Sequence, residues 1–416
     1  SLMSNKVTVR GGAGNILEPK VGTRPQDNLY LAVNSDWLEK AKIPSDRSRI
    51  ASFDSIDLNV EKSLMKDFAD FADGKKEVAD VPNLKKAVEL YKLARDFKRR
   101  DEDGAKPIQA DLFLLESISD FADFNLKAAD LFKASFSLPF GLDIDADMKN
   151  TKINVLQFIG PSTFLPDTTT YKTEAAGKLL EVLKKQSINL LKMAGVSEGQ
   201  AKEYVEDALK FDKKLSEVVK SSEEWADYPA MYNPTSMEDF EGKIKNFKID
   251  YFLKEALGEV PDRIIVTEPR FLKHFDELMN EENFDEIKGW MIVKFINNVA
   301  SYLSQDFREA SFQFSQALTG QPELQSQEKQ AYHLANGLFS EVVGVYYGQT
   351  YFGEEAKKDV LTMIRQMIDV YEKRIKENSW LSEETKEKAI VKLRALILKI
   401  GYPDKIEEIY NRYNIT

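Results

Sequence analysis

The chain has 416 residues, with 58 basic against 69 acidic side chains and a formal charge of −11. Hydrophobic residues at 43% and aromatics at 11% supply enough apolar surface for substantial cores, which excludes wholesale disorder. Cysteine is absent, so disulfides, thiol nucleophiles and cysteine-ligated zinc, haem or iron–sulfur centres are excluded as well. A pI near 5.1 argues against nucleic acid as a partner. No stretch approaches about 18 uncharged apolar residues, and no membrane span is predicted.

In chain order, Ser1-Leu2 ahead of Met3 read as a cloning remnant before a native start. The residues that follow lack the apolar core of a secretory signal, which with the missing cysteines predicts a cytoplasmic protein. Gly11-Gly12-Ala13-Gly14 suggests a phosphate loop, but Leu17 stands where the dinucleotide pattern needs its last glycine. Residues 1–15 therefore read as a flexible leader, and residues 16–416 as the folded part. Phe68 and Phe71, interleaved in the acidic Asp67–Asp73 run, predict an amphipathic helix end rather than a metal cluster.

Leu84, Val88, Tyr91 and Ala94 recur at helical spacing, and a helix is predicted over residues 83–99. A second periodic run covers residues 171–194, closed by Gly195. Ser197 and Gln200 have capping-box spacing and open a further helix reaching to about Val219. Residues 137–145 and 152–159 flank the polar turn Asp147–Asn150 as a hairpin, and the β-branched run Arg263–Thr267 predicts one more strand. Residues 285–318 read as one long helix. Val360, Met363, Ile364, Met367, Ile368, Tyr371 and Ile375 form a stripe whose methionines are expected to fill core. A last helix opens at Ser382 and stops at Gly401-Tyr402-Pro403.

Most chemical motifs fail. Asp143, Asp145 and Asp147 alternate like calcium ligands, but Met148 and Asn154 occupy the loop's glycine and glutamate positions, so these aspartates are expected to solvate a turn. The two histidines, His274 and His333, belong to no His-Glu-x-x-His motif. His274 is expected at a surface or boundary, and His333 in a helix with a structural hydrogen bond. No Gly-x-Ser-x-Gly elbow is present. On these residues alone the chain is mainly α, a large multi-helical domain with small β-hairpins, and shows no active site.

Two sets of motifs change that reading. The first is Gln26-Asp27-Asn28-Leu29-Tyr30 through Asn34-Ser35-Asp36-Trp37, then Ile43-Pro44, Arg49 and Ser52-Phe53-Asp54. The second runs from Ala317-Leu318-Thr319-Gly320 through Ala335-Asn336-Gly337 and Val343-Gly344-Val345-Tyr346-Tyr347. It continues through Asn378-Ser379-Trp380 to Ile400-Gly401-Tyr402-Pro403-Asp404. In this order they resemble the N-terminal part of the neprilysin-type zinc metallopeptidases, a family that includes neprilysin, endothelin-converting enzyme and the bacterial oligopeptidase O. The resemblance covers nearly the whole chain from about residue 15.

The resemblance implies a helical cap domain that encloses oligopeptide substrates, while a C-terminal zinc domain downstream of the Ile-Gly-Tyr-Pro segment hydrolyses them. The His-Glu-x-x-His motif, its later Glu ligand and the Asn-Ala run of the family are missing here. The chain is therefore expected to carry no zinc, no metal ligand and no catalytic residue, and to be inactive alone. Its expected partners are oligopeptides and the missing zinc domain. Arg49 matches the family arginine that reaches the substrate's C-terminal side, where a guanidinium suits a carbonyl or carboxylate. Phe53 matches an aromatic of the apolar primed-side pocket. A second family arginine is replaced by Asp57, which favours endopeptidase action. The contrasting reading is a stand-alone helical module that binds peptides or proteins without catalysis.

Overall fold

Helices form over most of the periodic segments in the computed structural model, which describes residues 54–150, 152–379 and 381–397. Helix α1 (Asp54–Ala72) turns Phe68 and Phe71 inward, as their spacing predicts. Helix α2 (Leu84–Arg95) buries Leu84, Val88, Tyr91 and Ala94. It stops before residue 99, because Asp96 leaves helical geometry and its carboxylate accepts the Arg99 N–H to start α3 (Phe97–Asp103). Helices α4 (Gln109–Glu116) and α5 (Phe121–Lys133) lead to strands β1 (Gly141–Ala146) and β2 (Asn154–Ile159). Helix α6 (Glu174–Met193) is followed by Gly195 at φ 97°, the left-handed position that favours glycine. Ser197 Oγ accepts the Gln200 N–H at the start of α7 (Glu198–Ser216). A capping box with both bonds made stands at Ser221 and Glu224.

Strand β3 (Pro234–Ser236), helix α8 (Ile249–Leu257) and strand β4 (Arg263–Val266) come next, followed by α9 (Phe284–Val299) and α10 (Phe312–Thr319). Then follow α11 (Gln327–Leu338), α12 (Ser340–Tyr347), α13 (Gly353–Glu377) and α14 (Glu383–Ile397). Ser382 Oγ accepts the Thr385 N–H at the start of α14. The Gly401–Pro403 stop lies outside the described residues.

The expected single helix over residues 285–318 is broken. Residues Ala300–Tyr302 tighten into a 3-10 turn, and Ser304 Oγ accepts the Phe307 N–H to open a short helix, Gln305–Ala310. The carbonyls freed at the break are claimed from a distant segment. Arg100 Nε donates to Leu303 O at 2.8 Å and Nη2 to Ser301 O at 3.2 Å, while Asp101 accepts the Gln305 N–H at 2.8 Å. Buried carbonyls need such partners.

The described chain divides into two compact units: Leu93–Gln330, and residues 54–92 together with 331–397. In the first unit the strands pair in the order β1-β2-β4-β3. The predicted hairpin is antiparallel, with Leu142 opposite Phe158, and β4 joins β2 in parallel, Gln157 opposite Ile265. Strand β3, which sequence patterning did not single out, pairs antiparallel with β4 at Thr235 and Ile264. Asp147 sits at the hairpin's end, where it accepts the Lys149 N–H and pairs with Arg263, a turn role and not a calcium one.

The sheet lies on a bed of phenylalanines. Phe158 meets Phe240 edge-on at 4.9 Å, and Phe140 meets Phe252 at 5.0 Å, the geometry aromatic quadrupoles prefer. Helix α9 buries residues on all sides, including Ile287, Trp290, Ile292 and Ile296. Its Gly289 lets α7 come close: a Cβ there would stand 2.6 Å from Tyr204 O.

In the second unit Phe68 sits edge-on to Tyr91 and Tyr332 at 5.6 and 5.7 Å, and Phe71 to Tyr346 at 5.4 Å. Helix α13 turns Ile368 inward, but Met363 and Met367 are 61% and 56% exposed. The expectation that these methionines fill core is corrected. The apolar stripe of α13 is wider than the surface its neighbours cover.

Candidate functional site

Arg49 and Phe53, the substrate contacts implied by resemblance, lie outside the described residues. Both histidines are described. His274 stands between two short helices, half-exposed, with Nδ1 at 2.9 Å from Glu277 Oε2. His333 projects from α11 and its Nε2 bonds Glu61 of α1, so it has the helical, hydrogen-bonded role expected of it. The two fall in different units. Among the described residues no group of three or more His, Asp or Glu side chains could hold a metal ion. The zinc set the resemblance implies needs two imidazoles a turn apart, and the residues present do not fit it.

The second unit contains a groove of about 630 Å³ around the His333–Glu61 pair. Three helices build it, each through its own periodicity. Val60 and Leu64 of α1 are one turn apart and form an apolar wall with Glu61 beside them. Tyr332, His333 and Asn336 come from α11, while Ser340, Val343, Gly344 and Tyr347 of α12 follow the i, i+3, i+4, i+7 rule of a single helix face. At Gly344 a Cβ would meet nothing within 4 Å, so this glycine keeps the groove floor open.

The wall is fixed from behind by a buried carboxylate. Asp67 Oδ2 accepts the Tyr346 hydroxyl at 2.6 Å and the Tyr351 hydroxyl at 2.5 Å, and Lys76 Nζ reaches Oδ1 at 3.3 Å. Burial, with Asp67 as hydrogen-bond acceptor, raises both phenols above their ordinary range, so they stay protonated donors. Tyr332 is raised too, by burial first and then by Glu61. Tyr347 stacks on Tyr351 at 5.6 Å between centroids. The result is a preorganised concavity with apolar sides and a few polar tips, chemistry suited to a peptide side chain or an apolar segment of chain.

A second concentration of perturbed charge braces the first unit. Lys294 of α9 is buried, its Nζ over the Phe164 and Trp290 rings at 5.0 and 5.3 Å, with Ser162 Oγ at 3.5 Å. Desolvation lowers its pKa to about 8 against the opposing pull of Asp212. Asp212 of α7 accepts the Phe164 N–H at 2.9 Å, the Trp290 Nε1–H at 3.2 Å and the Tyr171 hydroxyl. Burial raises its pKa, with Lys294 and these donors opposing.

A sequence model of the N-terminal region of peptidase family M13 matches residues 25–403. This chain belongs to peptidase family M13. It is 58% identical over 413 residues to the neutral endopeptidase of Lactobacillus helveticus, covering 99% of this chain and 64% of that protein. Identity to the neutral endopeptidase of Lactococcus lactis subsp. lactis is 40% over 397 residues, 95% of this chain and 63% of the relative. Among solved structures, PepO from Lactobacillus rhamnosis HN001 superposes with a TM-score of 0.75 at 30% identity, over 94% of this chain and 61% of that one. The zinc metalloprotease Zmp1 of Mycobacterium tuberculosis shares the fold, with a TM-score of 0.70 at 22% identity over 92% and 58% of the two chains. The M13 chain thus spans under two thirds of the length of the relatives it matches first.

The M13 match bears out the family read from the motif sets, and the helices with their small four-stranded sheet bear out the mainly helical fold. The groove was not read from sequence. Gly344 and Tyr347 lie inside a quoted motif, but nothing local signals that Glu61 and Leu64 face them.

Proposed function

We propose that this chain is the N-terminal, substrate-enclosing part of a cytoplasmic zinc-dependent metalloendopeptidase that acts on oligopeptides. The M13 match over residues 25–403, joined to 58% identity with a neutral endopeptidase, carries the reading. In this reading the zinc belongs to the part of the protein that the relatives have and this chain does not span. The chain's own task is to admit extended peptides, hold them and exclude water and folded proteins. Arg49 holds the peptide's C-terminal side by charge-assisted bonds, and Phe53 lines an apolar subsite.

The test is elemental zinc on the purified 416-residue chain, together with cleavage of a mixed oligopeptide panel. Zinc-free, inactive protein is expected. In the longer protein, Arg49→Ala is expected to raise KM for oligopeptides more than it lowers kcat. Stoichiometric zinc with chelator-sensitive cleavage by the 416-residue chain would overturn the proposal. So would a gene that encodes no zinc domain, which would favour a peptide- or protein-binding module.

A further inference from the structure

Helix α13 presents an apolar face wider than its own packing uses. Ile368 is buried and Ile364 and Ile375 are half-buried, which accounts for the packing of α13 within its own unit. The flank of that face carries Met363, Met367, Val370 and Tyr371 at 61, 56, 52 and 48% exposure. Their spacing of i, i+4, i+7 and i+8 makes one continuous stripe over about two turns. Val391 of α14 and Leu381 before it are also exposed, at 67 and 37%. A helix that faces water fills such positions with charged residues, so a contiguous apolar stripe marks a surface that is meant to be covered. Methionine suits that use, because its flexible thioether adapts to an irregular partner.

The comparisons indicate what covers it. The match to the family's N-terminal region runs to residue 403, just beyond α14, and this chain leaves more than a third of each relative's length unspanned. We infer that the Met363–Met367–Val370–Tyr371 face of α13 is the docking surface for that C-terminal third, which lays an apolar segment along the stripe. The inference rests on the reading of the chain as part of a longer peptidase. It adds a specific surface and residues to that reading.

Peroxide oxidation of methionines, read by mass spectrometry, tests it on the 416-residue chain and on the longer protein. Met148, 48% exposed, and Met291, 2% exposed, are internal controls that oxidise readily and slowly in both. Met363 and Met367 are expected to oxidise as readily as Met148 in the 416-residue chain. In the longer protein they are expected to oxidise at least about tenfold more slowly, an opening free energy of about 1.4 kcal/mol. Equal oxidation in the two proteins overturns the inference. So does protection in the 416-residue chain that grows with its concentration, which would make a second copy the occupant.

The double variant Met363→Glu, Met367→Glu provides a separate check. It is expected to leave the circular dichroism of the 416-residue chain unchanged, while making the longer protein cleave faster under limited proteolysis. No change in the longer protein counts against the surface. Zinc content and peptidase activity of the unsubstituted longer protein are measured first. An active zinc enzyme with unprotected methionines refutes the surface and leaves the proposed function standing. A zinc-free, inactive one with protected methionines does the reverse.

Discussion

Replacing Asp212 tests whether the buried cluster braces α7 against α9. In Asp212→Ala, the Phe164 N–H, the Trp290 Nε1–H and the Tyr171 hydroxyl lose their acceptor, and the buried Lys294 loses its counter-charge. Removing one member of a buried charged pair costs about 3–5 kcal/mol, and the orphaned donors place the loss toward the upper end. Asp212→Asn keeps an oxygen for the first two donors and is expected to cost about 1–3 kcal/mol. Lys294→Met leaves Asp212 without its counter-charge but with all three donors, so it should cost less than Asp212→Ala, about 1–3 kcal/mol. The double variant Asp212→Asn, Lys294→Met should be less impaired than the sum of the two, with a coupling of about 1 kcal/mol or more.

Urea unfolding followed by tryptophan fluorescence is the assay, since Trp290 belongs to the cluster. The pH dependence supplies a sign. Lys294 has a folded pKa of about 8, below its ordinary 10.5, so between these values the unfolded chain holds the extra proton. This group therefore adds stability as pH rises through that window. The penalty of Asp212→Asn should shrink as pH rises toward about 8, as the wild-type lysine becomes neutral, and stay level above it. A Lys294→Met cost equal to that of Asp212→Ala, with no coupling, would refute the bracing argument.

Two further substitutions probe other parts of the first unit. Gly289→Ala drives a methyl toward Tyr204 O at 2.6 Å and Asp207 Cβ at 3.0 Å, so α9 must move off α7; a loss of about 1–3 kcal/mol in urea unfolding is expected, and an unchanged midpoint would contradict the close approach. Glu224 is held down to about 2 by its hydrogen bonds from Arg270. Its contribution is present above the ordinary carboxylate pKa and is lost as pH falls toward 2. The pair is half-exposed, so Glu224→Gln should remove no more than about 1 kcal/mol at pH 7 and nothing at pH 2, a difference visible in acid titrations of the two proteins.

What the sequence made legible was whatever depends on neighbours within a turn or two. The inward face of α2, the Ser197 cap, the Gly195 stop and the β1–β2 hairpin all follow from local spacing. The break at residues 300–304 does not, because the groups that pair with its freed backbone, the Arg100 guanidinium for the carbonyls and the Asp101 carboxylate for the Gln305 N–H, lie some two hundred positions earlier. Strand β3 offers only Pro234, Thr235 and Ser236, with no alternation to reveal it. The groove is invisible for the first of these reasons. Glu61 and His333 meet across most of the described chain, and His333 looks like any helical histidine until α1 is placed beside α11. The outward methionines of α13 were misplaced because periodicity reports how wide an apolar face is and leaves open what occupies it.

The division of the chain also sets an order of events on the ribosome. Residues Leu93–Gln330 form one continuous unit, free to fold once they have emerged. Helix α1 belongs with residues 331–397, so Phe68 waits for Tyr332 and Asp67 for Tyr346 until the whole intervening unit has been translated. At about 5–20 residues per second that interval lasts on the order of tens of seconds, during which the inner face of α1 has no native partner from the later segment. Among the described residues, this early helix is thus a part of the newborn chain that gains from a holdase and is exposed to wrong pairings until the later segment arrives.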